Sequence, residues 1–201
     1  MSYGLTIYTE PTEEPITLDE ARGQVSLGDN TAHDLDLNGY LKSARKWAED
    51  YTNRQFCTAT WDLQLDRFPY GVNAKIFIPR VPLRSITSIT YLESAAGAST
   101  VLGASNYRVL TSREPAEVTA AFGTAWPSVY DVDGAVTIRF SAGYGAASAV
   151  PQGIKDAIKA KLTHLFKMKT GEDARGYDEL ARNLLEQYRV GDEFHQYAEC
   201  A

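Results

Sequence analysis

The sequence has few cysteines and few histidines, and each shortage excludes a class of protein. Its two cysteines, Cys57 and Cys200, lie far apart in the chain, so they form neither a disulfide framework nor a metal cluster. We expect both to be free thiols in a reducing compartment. The three histidines, His33, His164 and His195, lack the spacing of a zinc site.

The chain also has no long apolar run and no excess of positive charge. No run approaches the ~18 apolar residues of a membrane-spanning helix. The opening segment, MSYGLTIYTEPTEEP, lacks the basic and apolar regions of a signal peptide, which predicts a cytosolic product. The formal net charge of −6 argues against a non-specific nucleic-acid binder. The negative charge is compatible with a protein that surrounds DNA without binding it tightly, because acidic side chains along a channel repel the phosphates.

What is present is the composition of an ordinary folded domain. The 201 residues are 44% hydrophobic and 23% charged. A chain of this length can bury one good-sized core, or one core with an inserted subdomain.

The clearest helical pattern lies in NGYLKSARKWAEDYTNRQF, residues 38–56. Its apolar positions recur at steps of three and four, which predicts a core-facing helix. The apolar stripe comprises Leu37, Tyr40, Leu41, Ala44, Trp47, Ala48 and Tyr51. The opposite, solvent-facing side is predicted to carry Lys42, Lys46, Glu49, Asp50 and Asn53.

The remaining pattern places a sheet between helices. Thr17 and Glu20 have the spacing of a capping box, which predicts a short helix ending near Gly28. Alternating or β-branched runs predict strands at 60–66, 75–79, 85–92, 107–110, 117–122 and 135–140. Helical spacing returns after Pro151, with buried positions at Ile154, Ala157, Ile158, Leu162 and Leu165. A last helix is predicted to bury Leu180, Ala181, Leu184, Leu185 and Tyr188.

These elements predict an α+β fold, a helical bundle of about four main helices with an inserted antiparallel β subdomain. We expect an N-terminal extended arm and helices in residues 1–57 and the β subdomain in residues 58–148. The C-terminal helices that complete the bundle take residues 149–189, and a flexible tail takes residues 190–201.

No catalytic or cofactor motif emerges. The segment around Ser141 lacks the first glycine of a nucleophile elbow. The run from Gly143 to Ser148 lacks the third glycine of a dinucleotide loop, and the sheet before it is predicted to be antiparallel. Carboxylate pairs such as Asp34 and Asp36 have no apolar setting that would perturb their acidity. We therefore expect a protein that is not an enzyme, with no cofactor and no metal.

Several segments together resemble one family. They are ARKWAEDYTNRQF at 44–56, IFIPRVPL at 76–83, SITSITY at 85–91, Trp126-Pro127, FSAGY at 140–144, Val150-Pro151, HLF at 164–166 and LLEQYR at 184–189. Their order and spacing resemble the head–tail connector (adaptor) proteins of tailed phages, especially the larger subgroup with a β insertion. Gene transfer agents use similar adaptors, and the sequence does not separate the two contexts.

The resemblance implies a structural virion protein at the head–tail interface, assembled in the cytoplasm of a bacterial host. Such adaptors form a ring, expected to be a dodecamer, below the portal protein. The ring extends the DNA channel, through which DNA passes without sequence-specific binding, and provides a platform for neck or tail-completion proteins. Our interface hypothesis names Trp47, Tyr51, Arg189, Phe194 and Tyr197, with the tail docking on the portal or on a neighbouring subunit.

Two alternatives stay open. One is a neck or tail-completion protein of the next layer, which would bind the adaptor rather than the portal. The other is a monomeric domain whose binding or enzymatic site lies in the β subdomain. Self-assembly or binding to the portal would separate the adaptor from the monomeric domain, and binding to the portal rather than to an adaptor would separate it from the neck protein.

Overall fold

The structure is a computed structural model that describes residues 3–71, 74–95 and 97–191. The described residues form four α-helices and eight β-strands, all paired antiparallel, so the fold is an α+β mixture as expected. The chain divides into two compact units. One, the β unit, includes residues 3–11 and 58–143, and the other, the helical unit, comprises residues 12–57 and 144–190.

The β unit contains two sheets. The larger has the order β1–β2–β8–β4–β5, built from Tyr3–Thr9, Ala59–Leu65, Val136–Ala142, Leu83–Tyr91 and Thr100–Val101. The smaller has the order β3–β7–β6, from Lys75–Phe77, Glu117–Ala120 and Tyr107–Leu110. Strand β2 buries every second residue because its sequence alternates, and its partner β8 does the same. Opposed pairs such as Leu63 and Ile138 therefore enter one core.

The outer face of the same strand pair is polar. Asp62 and Arg139 lie opposite each other, and the guanidinium donates two hydrogen bonds of 2.8 Å to the carboxylate. The guanidinium carbon of Arg139 lies over the ring of Tyr8 on β1, 3.4 Å from the centroid of the ring. The extended arm that was grouped with the helices thus pairs in part with β2 as strand β1.

The helical unit contains α1 (Leu18–Gln24), α2 (Asp34–Thr52), α3 (Gln152–Thr170) and α4 (Arg175–Glu186). The predicted capping box is confirmed: Thr17 Oγ1 accepts a hydrogen bond from the backbone N–H of Glu20, and the Glu20 carboxylate accepts one from the backbone N–H of Thr17. Helix α2 is followed by Asn53, which takes the left-handed conformation common after a helix. The core of the unit joins Leu37, Leu41, Ile158, Leu162 and Leu185, among others.

Two burial predictions on these helices are wrong. Glu49 was placed on the solvent side of α2, but it is only 6% exposed because buried polar partners surround it. Leu180 was placed in the buried stripe of α4, but it is 48% exposed. The stripe of α4 is instead carried by Ala181 and Leu185, which are buried.

Candidate functional site

The surface of the helical unit carries a cluster of aromatic rings and cations. Trp47 and Tyr51 lie one turn apart on α2, so their side chains emerge on the same side of the helix. Their rings stack with centroids 5.7 Å apart and an interplanar angle of 18°. Both rings are half-buried and pack against the core of the helical unit.

Three cations lie over these two rings. Lys161 Nζ of α3 is 4.4 Å from the Trp47 ring centroid. The Arg182 guanidinium of α4 is 5.6 Å from the Trp47 ring and 5.9 Å from the Tyr51 ring. Arg189 is 5.6 Å from the Tyr51 ring. Such contacts contribute about 0.5–1 kcal/mol each at exposed sites, and they hold the arginine heads in place.

Two carboxylates complete the cluster. The Tyr51 hydroxyl donates a 2.8 Å hydrogen bond to Glu186, and this bond, together with burial and the nearby negative charge, raises the pKa of Tyr51. Asp178 accepts hydrogen bonds from Lys161 and, at 3.0 Å, from Arg182. Burial alone would raise the pKa of Asp178, but these two donors outweigh it and hold the pKa low.

Hydrogen bonds attach the segment after α4 to the end of α2. The backbone N–H of Val190 donates to the carbonyl of Thr52 at 3.0 Å, and the Asn53 amide donates to the carbonyl of Val190 at 3.0 Å. Arg54 Nε donates to the carbonyl of Tyr188 at 2.6 Å. Val190 was assigned to the flexible tail, yet these bonds tie it to the end of α2.

A second set of polar side chains, on α2 and on the residues next to it in the core, is buried and structural. The Glu49 carboxylate accepts hydrogen bonds from Arg45 at 2.8 Å, from the Gln55 amide at 2.7 Å and from the backbone N–H of Phe56 at 3.0 Å. Arg45 also donates to Glu14 at 2.8 Å. Burial would lower the pKa of Arg45, but the two carboxylates outweigh it and raise the pKa. The guanidinium is therefore charged at neutral pH.

The structure brings together three of the five residues in the interface hypothesis, namely Trp47, Tyr51 and Arg189. The other two, Phe194 and Tyr197, lie outside the described residues. Sequence reasoning missed Lys161 and Arg182 as members of the cluster. The four-residue spacing of Asp178 and Arg182 was a usable signal for an ion pair on α4, but their contact with α2 depends on how the helices pack.

Cys57 is a buried free thiol, as expected, and Cys200 lies outside the described residues. Burial, with the charges of Glu13, Glu49 and Glu14, raises the pKa of the Cys57 thiol to about 12. A thiol of this kind is unreactive because little thiolate forms at neutral pH.

Two features are absent from the part of the chain that the structure describes, a metal cluster and a membrane-spanning helix. Its His, Cys, Asp and Glu side chains form no group of three or more that could hold a metal ion. None of its helices combines the length and the apolar character needed to cross a membrane.

The fold is similar to that of chains solved within gene transfer agent (GTA) particles. One chain, from the neck of an empty GTA particle computed with C6 symmetry, matches with a TM-score of 0.79 and 22% identity, over 94% of this chain and 96% of that chain. A chain in the virion of a native GTA particle matches with a TM-score of 0.74 and 23% identity, over 93% and 95%.

A third match is a chain from the neck of a native GTA particle computed with C12 symmetry. Its TM-score is 0.71 at 20% identity, over 94% of this chain and 96% of that chain. No protein-family model and no curated protein matches the sequence. The chain therefore shares, over nearly its whole length, the fold of proteins found in GTA particles and their necks.

Proposed function

We propose that this chain is a non-enzymatic structural protein of the neck of a phage or GTA particle, and more specifically a head–tail connector. In this role it forms a ring below the portal protein, extends the DNA channel and provides a platform for neck or tail-completion proteins. The observation that carries the proposal is the fold similarity to GTA neck chains, with a TM-score of 0.79 over 94% of the chain. Two of those necks were computed with C6 and C12 symmetry, which supports a ring.

We also propose the finer architecture that goes with this role, a helical bundle with an inserted β subdomain. The helical unit is split in sequence into residues 12–57 and 144–190, and the intervening residues 58–143 belong to the β unit. The backbone N–H of Tyr144 donates to the carbonyl of Phe56 at 2.8 Å, and Cys57 forms a parallel bridge with Gly145. The chain therefore leaves and re-enters the helical unit at neighbouring points, as an insertion requires.

The aromatic and cationic cluster is suited to contact with a neighbouring subunit or the portal. Interface hot spots are enriched in Trp, Tyr and Arg, and Trp47, Tyr51, Arg182 and Arg189 supply all three. The rings are already stacked and the arginine heads already placed, so little side-chain entropy is lost on binding. We assign the cluster, together with Phe194 and Tyr197 of the tail, to docking. The net charge of −6 suits a channel through which DNA passes without being held.

The first test is the mass of the purified chain by light scattering, alone and mixed with the portal protein of the same particle. An adaptor forms a large ring or joins the portal stoichiometrically. A chain that does not bind the portal protein but binds an adaptor ring belongs to the next layer of the neck. A chain that binds neither contradicts the proposal.

Two substitutions connect this test to the cluster. Tyr51→Ala removes the stacked ring and Arg189→Glu reverses a charge, and each should weaken association at least about tenfold. The control is Lys42→Glu, an exposed charge reversal nine residues before Tyr51 and so on the opposite side of α2. An unchanged circular dichroism spectrum shows that each variant is folded. Equal association of all three variants would exclude the cluster from the interface.

A further inference from the structure

The β unit has a groove that the proposed function does not use. The segment after β2, the strands β6 and β7 and the loop after β7 form its walls. Its volume is about 990 Å³, at the upper end of the roughly 300–1,000 Å³ range of small-molecule sites. A groove of this size can accept a segment of polypeptide.

Aromatic side chains line the groove and two of them are unusually exposed. Phe122 in the loop after β7 is 97% exposed, and Tyr70 after β2 is 72% exposed. Two other lining residues, Phe68 and Trp126, stack with centroids 4.9 Å apart and planes within 4° of parallel. The Trp126 indole N–H donates to the carbonyl of Ala74 at 3.3 Å, which holds the stack in place. Exposed aromatic rings in a groove that also contains a stacked aromatic pair are typical of a surface that a partner covers.

The groove is positively charged although the chain is acidic. Its ionisable lining residues are Arg67, Lys75, Arg108, Arg113 and Glu117, which together carry +3. Since the whole chain carries −6, the remainder carries −9. The groove therefore attracts acidic segments, including those of other copies of the same chain.

Of the four cations, Lys75 and Arg113 are committed to the fold, whereas Arg67 and Arg108 are exposed. Glu117 is buried between Lys75 at 2.9 Å and Arg113 at 2.7 Å. Burial would raise the pKa of Glu117, but the ion pairs with these two residues lower it, so the carboxylate stays charged. Arg108 on β6 is exposed and has no ion-pair partner among the residues that the structure describes.

The sequence outside the described residues supplies the matching chemistry. Residues 192–201, DEFHQYAECA, contain three carboxylates and two aromatic rings. The carboxylates are Asp192, Glu193 and Glu199, and the rings are Phe194 and Tyr197. We call this segment the tail peptide. Its side-chain charge of −3 is opposite in sign and equal in size to the +3 of the groove lining. Its two rings can pack on the exposed aromatic side chains of the groove.

We propose that the tail peptide of one copy binds in the β-unit groove of a neighbouring copy. This inference rests on the proposed function, because a ring is a head-to-tail assembly in which each subunit presents two different, complementary surfaces. The tail peptide is one surface and the groove is the other. Carboxylates pair with Arg108 and Arg67, while Phe194 and Tyr197 pack against Tyr70 and Phe122.

The test is binding of a labelled tail peptide, with Cys200→Ser to prevent oxidation, to the full chain and to the chain truncated after Gly191, once circular dichroism and cooperative unfolding show that the truncated chain is folded. We expect saturable binding by fluorescence anisotropy that weakens as salt is added. Arg108→Glu should weaken it at least about tenfold, since it replaces attraction by repulsion. Phe122→Ser should weaken it as well. Lys42→Glu, the same charge change on an exposed site of the helical unit, should leave it unchanged.

Several outcomes would overturn the inference. The first is that the peptide does not bind. The second is that the Arg108→Glu and Lys42→Glu variants bind the peptide equally well. The third is that a peptide whose three side-chain carboxylates are replaced by amides binds as tightly as the original peptide. Displacement by single-stranded oligothymidine would assign the groove to nucleic acid. If the full-length monomer fails to bind a peptide that the truncated chain binds, the tail occupies its own groove rather than a neighbour's.

Failure of this inference is distinguishable from failure of the proposed function. If the peptide does not bind but the full chain still forms a ring or joins the portal, the connector role stands and the groove has another partner. If the peptide binds but the full chain neither assembles nor joins the portal, the tail–groove contact stands without the connector role.

Discussion

Glu49 is the side chain on which the polar interior of the helical unit depends. Its carboxylate satisfies Arg45, Gln55 and the backbone N–H of Phe56 at once, with all three distances between 2.7 and 3.0 Å. Charged groups are rarely buried unless they are paired, because desolvation is expensive. Removing one partner of such a network leaves the others buried and unsatisfied.

We predict that Glu49→Ala lowers the free energy of unfolding by about 3 kcal/mol, because Arg45 and Gln55 lose their shared acceptor. The measurement is urea denaturation followed by circular dichroism. The control is Asp50→Asn, the exposed neighbour whose Lys46 pair is 3.6 Å long, where we expect a change below about 1 kcal/mol. Equal losses in both variants would show that Glu49 is not the centre of the network.

An ion pair links helices α3 and α4 in addition to their apolar packing. Asp178 of α4 lies between Lys161 of α3 and Arg182 of its own helix. The two donors hold the pKa of Asp178 below its ordinary value of 3.8. A carboxyl group with a lowered folded-state pKa stabilises the fold above its unfolded pKa, and this contribution is lost as the pH falls through the folded pKa.

We therefore predict that Asp178→Asn lowers the free energy of unfolding at pH 7 by roughly 1 kcal/mol. The difference from the parent chain should be constant above about pH 5 and should shrink as the pH falls below 3.8, the ordinary pKa. Denaturation curves between pH 3 and pH 7 measure it. Glu179→Gln, an exposed carboxylate at the next position, is the control. A difference that stays constant down to pH 3 would contradict the ion-pair explanation.

The two units have separate hydrophobic cores, one formed by residues of the β unit and the other by residues of the helical unit. A unit with its own core can in principle fold alone. For the helical unit, this requires that the gap between Cys57 and Tyr144 can be closed. The 2.8 Å bond from the Tyr144 N–H to the Phe56 carbonyl places these ends side by side.

We predict that residues 12–57 and 144–190, joined by a short Gly-Ser linker, fold into a helical protein. The expected result is a helical circular dichroism spectrum and cooperative unfolding in urea. Glu49→Ala in this shortened chain should destabilise it as in the full chain, which checks that the native core has formed. Non-cooperative unfolding would contradict the proposal that the β unit is an insertion.

Much of the local structure was predictable because it depends on neighbouring residues. Alternation at 60–66 predicted β2, the three- and four-residue steps predicted α2, and Thr17 with Glu20 predicted the start of α1. The sequence did not predict a strand at residues 3–9, because most side chains of this segment are exposed. The segment is a strand because its backbone pairs with β2. Pairing between distant segments leaves little local pattern in either of them.

The candidate site divides in the same way. Trp47 and Tyr51 could be chosen from their one-turn spacing on a helix, because that spacing alone places two rings on one side. Lys161 and Arg182 could not be chosen, since they reach these rings only through the packing of α3 and α4 on α2. Glu49 was misplaced for a related reason: its burial depends on the partners Arg45 and Gln55, not on periodicity.

The sequence by itself determined the order of helices and strands, the capping of α1 and the acidic balance of the chain. Those properties follow from local spacing and composition, which act before any long-range contact forms. Only the tertiary structure decided where charge could be buried, which cations cover the aromatic pair and that a basic groove exists on an acidic protein. Each of these requires side chains that are distant in sequence to meet, and that proximity is a property of the folded chain alone.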